Sequence, residues 1–193
     1  TVHARRSSGP ATGDFWWPSD TALWAAISGG GFVAGSKGNP DSPFFANIGA
    51  WAEASGMQAV VLDYRLAPEH KAPAAVADCV AAVGWVLDHA TEIGGDPTRV
   101  AVGGDSAGGN MAAVVSHMAR DGGGAQPAMQ LLIYPVTDLR LSTASYQTYA
   151  NGYGLTAGAM RHFRDTYLHG QADMTDTRAS PLLAADLSGM PQA

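Results

Sequence analysis

Three scarcities bound what this chain can be. A single cysteine, Cys79, in 193 residues excludes an internal disulfide and a multi-cysteine metal site, and suits a reducing compartment such as the cytoplasm. Charge is sparse as well: 15% of residues are charged, and 17 acids against 11 bases give a formal net charge of −6. That balance leaves no basic footprint for DNA, RNA or an acidic membrane surface, so no nucleic acid partner is expected. Long hydrophobic runs are missing too. No stretch approaches the ~20 apolar residues of a membrane span, and the opening "TVHARRSSG" lacks the apolar core of a signal peptide. What is plentiful is hydrophobic residues, 46%, and glycine, 24 in all. Together they fit one globular domain over residues 1–193, with a sizeable core.

Short β-branched or apolar runs alternate with longer stretches of helical period, the βαβ pattern of a parallel sheet. The runs predict strands at Val2–Arg5, Ala22–Ile27, Ala59–Asp63, Val100–Gly103 and Gln130–Tyr134. Some, such as "AVVLD" and "LLIY", are nearly continuous and suit strands covered on both faces. Val76, Cys79, Val80, Val83, Val86 and Leu87 form an amphipathic helix stripe, which makes Cys79 a core residue rather than a reactive one. Pro73 can open that helix, and Gly94-Gly95-Asp96-Pro97 reads as the loop that follows it. Further helices are predicted at Ser42–Ala54, Gly108–Arg120 and Ala157–Leu168.

Within this frame "AVGGDSAGGN" (101–110) places Ser106 directly after a strand and before a helix. A G-x-S-x-G on a strand-to-helix turn is the nucleophile elbow: the turn strains the serine backbone, and Gly104 and Gly108, flanking Asp105 to Ala107, leave room where strand and helix pass closely. The turn also sets Ser106 at a helix N-terminus, where the Ala107 N–H is a natural donor to an oxyanion. In so glycine-rich a chain the pattern alone is only suggestive.

A second element, "ISGGGFVAGS" (27–36), also follows a strand. Consecutive glycines expose backbone N–H groups, as the other half of an oxyanion hole requires. Gly29-x-Gly31-x-x-Ala34 with Asp63 matches a dinucleotide fingerprint as well, but that motif must open a helix, whereas "GSKGNPDSP" is loop chemistry. A phosphate loop would need Gly-Lys-Ser/Thr, and here the order is Gly35-Ser36-Lys37.

"SGGGFVAGS", "DYRLAPEHKAPAA" (63–75) and "GGDSAGGN" (103–110), extended by "DPTRVAVGGDSAGGNMAA" and "SPLLAADLSGMP", resemble the hormone-sensitive-lipase family of α/β-hydrolase carboxylesterases and lipases from about Ala22 onward. The resemblance implies a mostly parallel sheet with helices on both faces. It also implies hydrolysis of a small-molecule acyl ester through a serine acyl-enzyme, with no metal or organic cofactor. Ser106 would be the nucleophile, the amides of Gly29, Gly30 and Ala107 the oxyanion hole, and Gly104, Asp105 and Gly108 the frame of the elbow. Asp63, Arg65 and Glu69 would serve a buried network and turn.

The departures from the family pattern set further expectations. Ser28 stands where the family has the histidine of His-Gly-Gly-Gly, so the backbone donors survive without the imidazole that braces the loop. Only the first ~28 residues stand where the family has a longer N-terminal part that caps the pocket, and the family's acid and histidine follow the segment that "SPLLAADLSGMPQA" resembles. The expectation is a chain incomplete at the C-terminus and at the N-terminus, lacking the late strands, much of the cap and both partners of Ser106. Of the resident histidines, His117 lies three turns along the elbow helix, His70 and His89 lie elsewhere, and His3 has no place. His162 and His169 remain as stand-ins for the base. Three readings follow: an esterase, a catalytically inactive hydrolase fold that binds ligands or a partner protein, and, as a control, a dinucleotide oxidoreductase. Missing strands would leave an apolar sheet edge through which the chain could form a homo-oligomer.

Overall fold

The computed structural model describes residues 21–34 and 43–193. Four runs of small and β-branched residues form its sheet: β1 (Thr21–Ile27), β2 (Gln58–Leu62), β3 (Gly95–Asp105) and β4 (Met129–Ile133). All pair in parallel, in the order β2-β1-β3-β4. Parallel neighbours need crossovers, which α1 (Pro43–Ser55), α2 (Ala74–Asp88) and α3 (Ala107–Gly122) supply. Alternation along β1 divides the core. Leu23, Ala25 and Ile27 join Val60, Leu62, Val100 and Val102 beneath α2 and α3, while Trp24 and Ala26 join Ala59, Val61 and Ala101 beneath Ile48 and Ala52 of α1. Helices thus cover both faces, as expected.

The predicted α2 stripe is buried at Val76, Cys79, Val83, Val86 and Leu87, and Pro73 is the N-cap. Cys79 is a core thiol 3.7 Å from the Met111 sulfur, and burial pushes its pKa up. β3 departs from expectation by starting at Gly95, inside the segment that reads as loop. Thr21 pairs with Gly95, the register shifts before Leu23 meets Val100, and Asp96 accepts the Thr98 N–H (2.8 Å) and hydroxyl (2.7 Å) in a local turn. Glycine permits this because the Leu23 side chain packs where a Cβ on Gly95 would stand.

At the other end of the sheet, Tyr134 leaves β4 with a positive φ of 34°, so the strand stops at Ile133. The Gln130 N–H donates to the Gln192 carbonyl (2.8 Å), in a parallel bridge on the outer side of β4. Met129 and Leu131 are exposed there. Helix α4 (Ser145–Thr148) and two 3-10 turns, Gln171–Thr175 and Pro181–Leu183, carry no predictive period. α5 (Ala157–Tyr167) lies over the end of β1, where Tyr167 stacks on Phe32 at 4.0 Å. Lys71 donates to the Asp165 and Leu168 carbonyls at its C-terminal end. Among the described residues no helix is long and apolar enough to cross a membrane. Val2–Arg5 and His3 lie outside the described residues.

Met111 is fully buried between α2, α3 and the sheet, whereas Met118, farther along α3, is exposed. Met111→Ala is expected to lower the unfolding free energy by about 2–5 kcal/mol, and Met118→Ala by no more than about 0.5 kcal/mol. Urea titration of the two variants checks this.

Candidate active site

β1 connects through α1 to β2 on one side, and its other neighbour is β3. The carboxyl ends of β1 and β3 therefore flank a topological switch point, where open α/β sheets form crevices. Ser106 is the lone residue between β3 and α3, at φ 54° and ψ −115°. Such a backbone costs a non-glycine residue about 1–3 kcal/mol and persists only when its surroundings enforce it. The surroundings do: the Ser106 N–H donates to the Ile133 carbonyl (2.9 Å), and the Ser106 carbonyl accepts from Val136 (3.2 Å) and Asn110 (3.0 Å). Asn110, wholly buried, donates its side-chain amide to the carbonyls of Val136 (2.6 Å) and Ala179 (2.8 Å).

The loop after β1 is fixed from two sides. The buried Tyr64 hydroxyl donates to the Ser28 carbonyl (2.8 Å), and burial raises its pKa, which keeps it a donor. The Gly29 N–H donates to Asp105 Oδ1 (2.7 Å), while the Tyr134 hydroxyl donates more weakly to Oδ2 (3.4 Å). Burial and the Asp105 carboxylate raise the Tyr134 pKa as well. The N–H of Gly29, one of the oxyanion donors expected from the sequence, is thus engaged by a carboxylate. Gly30 and Gly31, both at positive φ, line a hollow with Ser106. A Cβ on Gly31 would stand 2.6 Å from the Phe163 ring of α5.

Ser106 borders two hollows. The smaller, about 310 Å³, is lined by Gly30, Gly31, Phe32, Leu139, Phe163 and Arg164 among others. The larger, about 560 Å³, runs toward Thr137, Asp138, Tyr146, Tyr149 and Leu182, and Met160 lines both. Asp138 is braced by Arg140, which donates to both of its carboxylate oxygens (2.7–3.1 Å) and holds its pKa below the usual carboxylate value.

Other expected residues fall elsewhere. Arg65 forks onto Asp78 of α2 (2.8 Å at each nitrogen) with its side chain half exposed, and Glu69 is exposed. The buried network expected there is thus a surface ion pair, since α2 presents Asp78 at its rim. Among the described residues, no histidine lines either hollow. His162 and His169 are exposed, and His89 stacks on Trp85. Residues 31–33 form a turn instead of opening a helix, contrary to the dinucleotide pattern. Sequence reasoning did not single out Tyr64, Tyr134, Phe163 or Arg164. For Phe163 and Arg164 the signal was position on a helix of the cap region, and for the tyrosines there was none.

A Cβ on Gly108 would meet the backbone of Ile27 and Ser28, whereas one on Gly122 meets open space. Gly108→Ala is expected to lower thermal stability sharply, and Gly122→Ala to raise it by about 0.5–1 kcal/mol; differential scanning calorimetry compares them. Because the folded pKa of Asp138 is depressed, its contribution is present above the unfolded value, about 3.9, and is lost as pH falls through the folded value. Arg140→Gln should therefore shift acid unfolding to higher pH, followed by circular dichroism.

The alpha/beta hydrolase fold family matches residues 25–193. The chain is 43% identical to the carboxylic ester hydrolase LipN of Mycobacterium tuberculosis, over 99% of this chain and 49% of that protein. It is 46% identical to carboxylesterase NlhH of the same organism, over 75% and 47% respectively. It spans about half the length of these curated relatives. Its structure superposes with a TM-score of 0.85 on an alpha/beta hydrolase from the metagenome of Lake Arreo, Spain, at 39% identity, covering 99% of this chain and 62% of that one. The hyperthermophilic esterase of the archaeon Pyrobaculum calidifontis gives a TM-score of 0.83 at 41% identity, over 90% and 55%. With parallel sheet, elbow turn and family match in agreement, the chain belongs to the alpha/beta hydrolase fold family, in its hormone-sensitive-lipase-like branch.

Proposed function

We propose that this chain carries the nucleophile and oxyanion elements of a serine carboxylesterase, of esterase or lipase type, acting on small carboxylic esters. The supporting observation is Ser106, a non-glycine residue held at φ 54° where β3 becomes α3, bordering both hollows beside Gly30 and Gly31. Ser106 Oγ forms a bond to the ester carbonyl carbon while the carbonyl electron pair moves onto oxygen and a base takes the hydroxyl proton. Collapse expels the alcohol, which receives that proton, and water then releases the acid. The donors to the oxyanion are the N–H groups of Ala107, Gly30 and Gly31, with Asp105 holding the loop through Gly29. These steps need no metal or organic cofactor.

No histidine among the described residues lines the hollows; the exposed His162 and His169 are the resident candidates for the base. Similarity to esterases favours a hydrolase over an inactive ligand-binding fold. A cytoplasmic location belongs to the same reading, supported by Cys79 as a buried free thiol. So does self-association of two copies along β4, supported by the exposed Met129 and Leu131.

The test is hydrolysis of p-nitrophenyl butyrate by the 193-residue chain beside Ser106→Ala. The expected result is a rate lost in Ser106→Ala; the ~10³ to 10⁴ over water that oxyanion-hole and binding catalysis supply does not need the serine and is a floor common to both chains. Equal rates in parent and variant overturn the proposal. Loss of a fast rate in His162→Ala or His169→Ala would identify that residue as the base.

A further inference from the structure

Arg164 on α5 stands in the wall of the smaller hollow with its side chain only 15% exposed. Around it the lining is apolar: Phe32, Leu139, Met160 and Phe163. The other charged lining residue, Asp105, already accepts from Gly29 and Tyr134. Arg164 is also bonded differently from three other arginines of the chain. Arg65, Arg140 and Arg178 each fork onto a carboxylate through two nitrogens, with side chains 50%, 44% and 54% exposed. Arg164 is more buried and meets Asp165 at a single point, Nε to Oδ1 at 2.8 Å, with Asp165 itself 61% exposed. Its guanidinium makes no other hydrogen bond among the described residues, and its planar fork fits a carboxylate.

We infer that Arg164 makes the smaller hollow selective for esters whose acyl group ends in a carboxylate a few carbons from the reacting carbonyl, the half-esters of short dicarboxylic acids. The inference rests on Ser106 being the nucleophile. Gly30 and Gly31 line this hollow and not the larger one, so a carbonyl held by their N–H groups directs its acyl substituent here. The leaving alcohol then has the larger hollow, toward Tyr146 and Tyr149. A purely hydrocarbon acyl group fills the small hollow but offers the fork no acceptor. A terminal carboxylate supplies one, and the hollow's volume of about 310 Å³ limits how long the chain between the two ends can be.

Boronic acids test this without turnover, since the boron bonds reversibly to a nucleophilic serine oxygen, becomes tetrahedral and releases the hydroxyl proton to buffer. Affinities of 3-carboxypropylboronic acid and of 4-methylpentylboronic acid, the hydrocarbon of the same shape, are measured by boron NMR titration of the whole chain. The carboxylate probe is expected to bind on the order of 10-fold tighter in the parent, as charge-assisted fork pairing implies. The preference should shrink to about twofold or less in Arg164→Met, confirmed as folded by circular dichroism. Asp165→Asn, a change at an exposed position, should widen it by removing the competing charge. Equal affinities in the parent, or a preference retained in Arg164→Met, overturn the inference while leaving Ser106 as nucleophile. An adduct that fails to form, or that persists in Ser106→Ala, overturns the nucleophile and this inference with it.

Discussion

The carbonyl of Ile27, at the end of β1, occupies the space that a Cβ on either Gly104 or Gly108 would need. Strand β1, the end of β3 and the first turn of α3 therefore meet backbone to backbone, closer than any pair of elements bearing side chains could. Everything in the site follows from that approach. It brings the loop leaving β1 against the residue before Ser106, so that Gly29 reaches Asp105 across 76 positions of sequence. It also leaves Ser106 standing at the mouth of the crevice between β1 and β3. Parallel order puts both strand ends on the same edge of the sheet, and the crossovers leading to opposite sides of β1 keep that edge open.

The strained backbone of Ser106 is held from the β4 side. Its N–H and carbonyl are tied to Ile133 and Val136, which bracket the turn after β4, and Asn110 joins Val136 to Ala179. Net contributions of about 1 kcal/mol for each hydrogen bond are together enough to offset the ~1–3 kcal/mol of strain. The turn after β4 is itself bent at Tyr134, a second non-glycine residue at positive φ. Two unusual backbones thus face each other across β3 and β4, and the carboxylate of Asp105 lies between them with a hydrogen bond to the Tyr134 hydroxyl. This arrangement couples the elbow to both neighbouring loops instead of leaving it a free-standing turn.

The parts legible in the sequence are those governed by local period. The apolar alternation of Leu23 to Ile27, the stripe from Val76 to Leu87 and the glycines spaced around Ser106 all describe one element and its immediate packing. What was not legible depends on distant partners. Gly95 reads as a loop glycine until Leu23 is seen filling its side-chain space, and only then is a strand start the natural outcome. Gly29 and Gly30 are indistinguishable as letters. Which N–H stays available is decided by where Asp105 comes to rest, and Asp105 claims the first of them. The expected buried role of Arg65 failed for a related reason: its partner Asp78 lies on α2, and that helix turns the pair toward water.

The placement of Asp105 raises an electrostatic question, since a carboxylate beside the proposed nucleophile would oppose an oxyanion formed there. At about 4 Å and an effective dielectric near 20, two like charges repel by roughly 4 kcal/mol, enough to cancel one oxyanion donor's usual contribution of about 3–4 kcal/mol. This group lines the smaller hollow with Ser106, but its oxygens are engaged. Its two oxygens accept from the Gly29 N–H and the Tyr134 hydroxyl. The free end of α3, worth about half a positive charge, begins at Ala107, next to Ser106. The positive end of a helix thus adjoins the proposed nucleophile, while the negative group holds the glycine loop in place. Substituting Asp105 by a neutral residue would remove the repulsion but would also release Gly29, and with it the geometry that lets Gly30 and Gly31 face the same hollow as Ser106. In this site the acid next to the serine is a structural support whose charge is tolerated because two donors consume it.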